Sequence, residues 1–141
     1  MNDSNEINQK FWNRVEYLPN NWNMLYLGGN NQFSNGSFEM ISADKSIKIT
    51  KKNYNSFDYE LVKTKWTQSA YAIGYNENIL VDFLRRLKLW REPIDVLQPI
   101  LQRDNIYNTY VFLPTLIKPK AGFSDINGRY YDYNKNNANN F

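Results

Sequence analysis

The sequence predicts an α/β domain, and three observations carry that expectation. Short apolar runs bounded by turn residues recur at 22–27, 69–74 and 107–113, the pattern of buried strands. Between the second and third runs lie two stretches with apolar residues at helical spacing, so the order is strand, helix, helix, strand. The length of 141 residues suits one domain that buries about two thirds of its unfolded surface.

The first element is a helix over 7–18, where Ile7, Phe11, Trp12, Val15 and Leu18 form a stripe that ends before Pro19. After the turn Pro19-Asn20-Asn21 comes the strand 22–27, closed by Gly28 and Gly29, which let the chain bend sharply. From Asn30 to Tyr59 the chain is polar, with β-favouring patches at 38–41 and 46–50 that predict short strands or an excursion across a sheet edge. Ser69-Ala70-Tyr71-Ala72-Ile73-Gly74 predicts the second strand.

Asn76 is placed to cap the next helix, in which Ile79, Leu80, Phe83, Leu84 and Leu87 make a broad apolar stripe. Glu77 at its start and Arg85, Arg86 and Lys88 near its end suit the helix dipole. Glu92-Pro93 opens another helix through about Gln102, where Pro99 removes a hydrogen bond and predicts a kink or an early stop. A strand over 107–113 follows, then the edge of another at Leu116 and Ile117. No internal repeat is present. We expect a single domain over 1–133 and a frayed Asn-rich tail over 134–141.

Composition removes several function classes. With no Cys and no His, disulfide scaffolds, zinc sites, Cys-His pairs and Ser-His-Asp triads each lack a required member. Any cation would sit on carboxylates. The excess of 17 Lys and Arg over 14 Asp and Glu is mild, so nucleic acid is not the expected partner. No apolar run approaches the length of a membrane span, and the first six residues lack the basic start and apolar stretch of a secretory signal. The expected location is intracellular, in the cytoplasm.

Among polar candidates, Asp95 falls in the first turn of its helix, where backbone N–H groups favour a carboxylate whether or not it reacts. Asp125 lies in the glycine-bounded loop 122–128, either displayed for function or satisfying a local turn. Asp58-Tyr59-Glu60 has an acid-x-acid spacing but no supporting pattern, and reads as a solvated loop. Lys45, Lys48, Lys51, Lys52, Lys63 and Lys65 are diluted by Asp44, Asp58 and Glu60, and read as a solvated face. Gly28-Gly29 hints at a nucleotide loop, yet no dinucleotide fingerprint or phosphate-loop lysine follows. Trp22, Trp66 and Trp90 can stack on sugars but also sit beside apolar runs as core residues do.

The order of five signatures adds what the fragments lack. Residues 19–28 (PNNWNMLYLG), 69–73 (SAYAI), 92–95 (EPID), 112–116 (FLPTL) and 123–126 (FSDI) together resemble glycosyltransferase family 25, which includes lipopolysaccharide and procollagen galactosyltransferase-like enzymes. The resemblance runs from about Phe11 to about Tyr133. It implies a GT-A-like sheet with flanking helices, a UDP-sugar donor, Mn2+ on an acidic motif, and a glycan or hydroxylysine-type protein acceptor. In the family the acidic motif and the donor-binding half precede the first signature. Here only Asp3, Glu6 and Glu16 precede it, and they form no acid pair.

The expectation is therefore a partial GT-A-like domain, the C-terminal half only, with the N-terminal donor-binding half missing and no metal ligand set. The resemblance assigns Asp95 as acceptor base or its orienter. It places Ser124 and Asp125 beside the donor cleft, and Gln68 and Tyr71 on the acceptor side. Lacking the cation that stabilises the leaving diphosphate, the isolated chain is expected to turn over poorly. A partner chain or a second copy is expected to cover an open sheet edge. The alternative is a carbohydrate- or protein-binding descendant that no longer catalyses transfer.

Overall fold

A computed structural model of the chain describes residues 4–31, 40–45, 47–50, 52–53, 56–69, 72–125 and 128–132. The elements run α1 (Ser4–Val15), β1 (Met24–Tyr26), β2 (Asn30–Asn31), β3 (Met40–Ser42), β4 (Lys48–Ile49), β5 (Glu60–Thr64), β6 (Thr67–Gln68) and β7 (Ile73–Tyr75). A 3-10 turn (Glu77–Ile79) leads into α2 (Leu80–Leu89), followed by α3 (Ile94–Arg103), β8 (Thr109–Leu113), β9 (Gly122–Ser124) and β10 (Arg129–Tyr131).

The main sheet has the order β4-β3-β5-β8-β1-β7. All of its pairings are antiparallel except β1 with β8, where Met24 faces Thr109 and Tyr26 faces Val111. The protein is thus a mixed α/β sheet with flanking helices. Side chains alternate across it as the pleat requires. Met24, Tyr26, Val62, Val111 and Leu113 meet Ile79, Phe83, Leu97 and Leu101 from the α2 and α3 side. Leu25, Leu61, Tyr110 and Phe112 form the second core, against Phe11 and Val15 of α1. The result is three layers, with α1 on one face and α2 and α3 on the other.

Several elements depart from the sequence expectation for identifiable reasons. The first helix stops at Val15, because Tyr17 and Leu18 donate three residues back, to Arg14 and Val15, and tighten the chain before Pro19. Asn76 does cap, accepting from the Asn78 N–H at 3.1 Å, but it caps the 3-10 turn that precedes α2. Pro99 lies inside α3 without ending it. Of the strand expected over 69–74, residues 70 and 71 lie outside the described residues, and Ser69 and Ala72 are not in a strand; Thr67 and Gln68 pair with Asn31 and Asn30 in a separate ribbon, and pairing with β1 begins at Ile73. Leu116 and Ile117 form no strand, and Ile117 makes a single backbone bond to Leu27. The tail over 134–141 lies outside the described residues.

The largest correction concerns the solvated loop expected over 58–60, whose last residue belongs to the central strand β5. Glu60 begins it, is buried, and accepts from Ser42 Oγ at 2.9 Å with Lys45 Nζ at 3.5 Å. Its acid-x-acid spacing therefore serves the sheet, with the carboxylate compensated by a hydroxyl and a cation.

Asp82 ties the layer of helices to the loop before β8. It accepts from Tyr107 Oη at 2.7 Å and pairs with Arg85 and Arg86, each at 2.6 Å. The Tyr107 hydroxyl first, then the two arginines, hold its carboxyl well below the usual carboxylate range. Because the folded pKa is depressed, its stabilising effect is present above the unfolded value of about 3.9 and is lost as pH falls. Urea unfolding at pH 7 and pH 2 is expected to show a smaller loss for Asp82→Asn than for the parent. An equal loss in both proteins would remove Asp82 from the acid response.

Candidate functional site

The parallel pair β1 and β8 sends both chain ends to the same edge of the sheet, the usual position for ligands of α/β sheets. After Tyr26, Leu27 donates to the Ala72 carbonyl at 2.9 Å and accepts from Ile117 at 3.0 Å, so the segments leaving β1, entering β7 and leaving β8 are tied together. The Leu113–Pro114 peptide is cis. Next to it Thr115 is buried with its Oγ1 unpartnered, and the Asn30 Oδ1 beyond Gly29 is also buried and unpartnered. Such atoms are ordinarily satisfied by water or by a ligand group.

Gly29 lets the chain make this bend. A Cβ there would lie 2.6 Å from Thr67 Cγ2 and 3.0 Å from both the Gln68 carbonyl oxygen and Tyr26 Cδ1. The glycine is needed for close packing of the β2·β6 ribbon on β1, and the nucleotide-loop hint of Gly28-Gly29 gains no phosphate-binding pattern from it.

A polar seam runs from this ribbon under α3. Gln102 reads the backbone of Thr67 in both directions, donating to its carbonyl at 2.9 Å and accepting from its N–H at 2.8 Å. It also donates to Tyr26 Oη at 3.2 Å. Tyr26 in turn donates to Gln98 Oε1 at 3.1 Å, and Gln98 Nε2 donates to Tyr75 Oη. Burial, with the Tyr75 hydroxyl adding to it, holds the Tyr26 proton far above the ordinary tyrosine range. Tyr26 therefore serves as a hydrogen-bonding post and not as a base. The Asp95 carboxylate acts on Tyr26 in the same direction, and it lies three residues before Gln98 on α3.

Asp95 is exposed in the first turn of α3, as expected, although Pro93 is the N-cap and not the first helical residue. Gln68 is half-buried in β6, directly opposite Asn30. Ser124 ends β9 and Asp125 is exposed in the turn between β9 and β10. Tyr71 lies outside the described residues. The seam ties Thr67, the neighbour of Gln68, to Gln102 of α3, the helix in whose first turn Asp95 lies.

Sequence reasoning missed Asn30, Gln98, Gln102 and Thr115. Gln98 and Gln102 are four apart beside Leu97 and Leu101, so the available signal was a polar pair bordering an apolar stripe. Among the described residues no group of three acidic side chains is placed to hold a metal ion. On that count the described residues do not fit a Mn2+ site. Compared with family models, curated proteins and solved structures, the chain gives no match.

Proposed function

We propose that this chain supplies the acceptor side of a hexose transferase related to glycosyltransferase family 25, with a GT-A-like sheet. One observation carries the proposal: four of the five signature segments, scattered over 19–116, become neighbours in space. The first supplies β1, the second leads into β7 on one side of it, and the fourth ends β8 on the other. The third opens α3, whose Gln98 bonds Tyr26 and Tyr75 on those strands. Segments that serve only as core need no such shared edge with unpartnered polar atoms.

In the proposed reaction the acceptor hydroxyl oxygen bonds to the anomeric carbon of a UDP-hexose as the bond to the diphosphate breaks. Asp95 takes the hydroxyl proton, a carboxylate role worth roughly 100-fold to 10,000-fold in rate. Gln68 and Asn30 offer amide groups to the acceptor, and the Ser124-Asp125 loop is assigned to the donor side. Asp3, Glu6 and Glu16, the acids ahead of the first signature, form no pair for the diphosphate, so donor-side chemistry is assigned to groups other than those of this edge.

Calorimetry with UDP-glucose and UDP-galactose in the presence of Mn2+, followed by an assay of transfer to galactosyl glycans and a hydroxylysine peptide, tests the proposal. Saturable donor heat is expected, with little product from the chain alone and metal-requiring product only where a partner supplies the diphosphate-binding side, at least tenfold lower for Asp95→Asn. Acceptor binding without donor heat favours the binding-only descendant. Product unaffected by Asp95→Asn removes the base assignment.

A further inference from the structure

On the layer opposite α2 and α3, the outer flank of α1 and the turn before β5 enclose a cleft of about 420 Å³ lined by Lys10, Asn13, Arg14, Tyr17, Asp58 and Tyr59. Its volume falls in the roughly 300–1,000 Å³ range of small-ligand sites. Helical spacing explains the lining, since positions 10, 13, 14 and 17 follow one face of the α1 segment into its terminal turn.

Four features of the cleft bear on a ligand. Tyr59 has φ of 53°, a left-handed conformation costly for a tyrosine and one that concentrates at binding sites. Lys10 Nζ lies 4.0 Å from the Tyr59 ring centroid and 2.6 Å from Glu6, which fixes that ring at the cleft wall. Tyr17, 43% exposed, is the second aromatic residue that lines the cleft. Arg14, Asn13 and Asp58 add a guanidinium, an amide and a carboxylate, planar groups that donate to and accept from clustered hydroxyls.

Charge selects among ligands. Lys10 and Arg14 are balanced by Asp58 and Glu16, which also lines the cleft, so no net field draws in a polyanion. An aromatic surface beside balanced planar donors and acceptors suits a molecule with one apolar C–H face and a rim of hydroxyls. We propose that this cleft is a binding site for a neutral glycan, one or two pyranose units long, separate from the edge of β1 and β8. The site does not rest on the transfer reading.

The test is NMR and calorimetric titration of the whole chain with maltotriose, cellotriose and lactose, with a heparin disaccharide and a mixed peptide library as contrasts. At least one neutral sugar is expected to bind saturably and to shift amides of residues 10–17 and 58–59. Binding is expected to weaken about fivefold to tenfold in Tyr17→Ala, by loss of one aromatic contact. Tyr59→Gly is expected to weaken it similarly while folding at least as well, because glycine is at ease at φ of 53°. Lys88→Ala, exposed on α2, is expected to leave it unchanged. No neutral sugar binding, binding by both tyrosine variants as tight as that of the parent, or binding of only the heparin disaccharide or peptides would each overturn the assignment.

Discussion

Replacing Gln102 with leucine is expected to lower unfolding stability by about 2–5 kcal/mol, although it exchanges a polar side chain for an apolar one in a buried position. The reason is what the change leaves behind. Gln102 is 1% exposed, and its amide satisfies both the N–H and the carbonyl of Thr67 while donating to Tyr26 Oη. Leucine fills the space but removes the side-chain partner of two backbone groups buried away from water, each such loss costing roughly 1–3 kcal/mol. Against a total stability on the order of 5–15 kcal/mol this is a large fraction. Urea unfolding of Gln102→Leu beside Lys88→Ala checks it, since Lys88 is exposed on α2 and its loss should change stability by no more than about 0.5 kcal/mol. Indistinguishable midpoints for the two variants would mean that the seam does not hold the ribbon.

Gly29→Ala is expected to damage the ribbon from the other side. A methyl group there meets Thr67 Cγ2 at 2.6 Å and a backbone carbonyl oxygen at 3.0 Å, and Thr67 cannot step aside without breaking its bonds to Gln102. Overpacking of this kind costs about 1–3 kcal/mol. The displacement also moves Asn30 and Gln68, which face each other across the ribbon. Ligand binding at the edge of β1 and β8 is therefore expected to fall by more than the stability loss alone accounts for. Calorimetry at a temperature where the variant remains folded separates the two effects. Unchanged stability together with unchanged binding would show that the chain bends there without needing glycine. Gly74→Ala is the control, because its Cβ would find only ordinary contacts, at 3.8 Å and 3.9 Å from Leu25.

What could be read from the sequence follows the strength of local signals. β1, α2 and β8 were legible because their apolar residues repeat at the period of their elements and turn residues bound them. β5 was not, because Glu60 and Lys63 interrupt its apolar run. Both are accommodated only by residues distant in sequence, Ser42 for Glu60 and Asn108 for Lys63. Such tertiary compensation leaves no trace in a window of ten residues. The hairpin of β9 and β10 was missed for a related reason, since Arg129 and the exposed Phe123 and Tyr130 give no alternation of buried and exposed positions.

The candidate site divides in the same way. Asp95 could be placed from its helix start, and Gln68 from its position before a strand. The groups around them could not, because the segments that carry Asn30 and Thr115 leave one edge only when β8 pairs parallel with β1, and Gln102 meets Tyr26 only when α3 packs on that strand. That pairing is a matter of strand order, which the spacing of residues along the chain does not encode.

The central claim is that the carboxyl edge of β1 and β8, with its ribbon and the start of α3, is where substrates meet. Amide chemical shifts recorded while the protein is titrated with a UDP-hexose and a galactosyl acceptor test it most directly. The account predicts changes gathered at residues 27–30, 67–68, 95–98 and 115–117, and weakened by Gly29→Ala. Changes confined to the α1 cleft, or saturating addition with no change at those four segments, would contradict it.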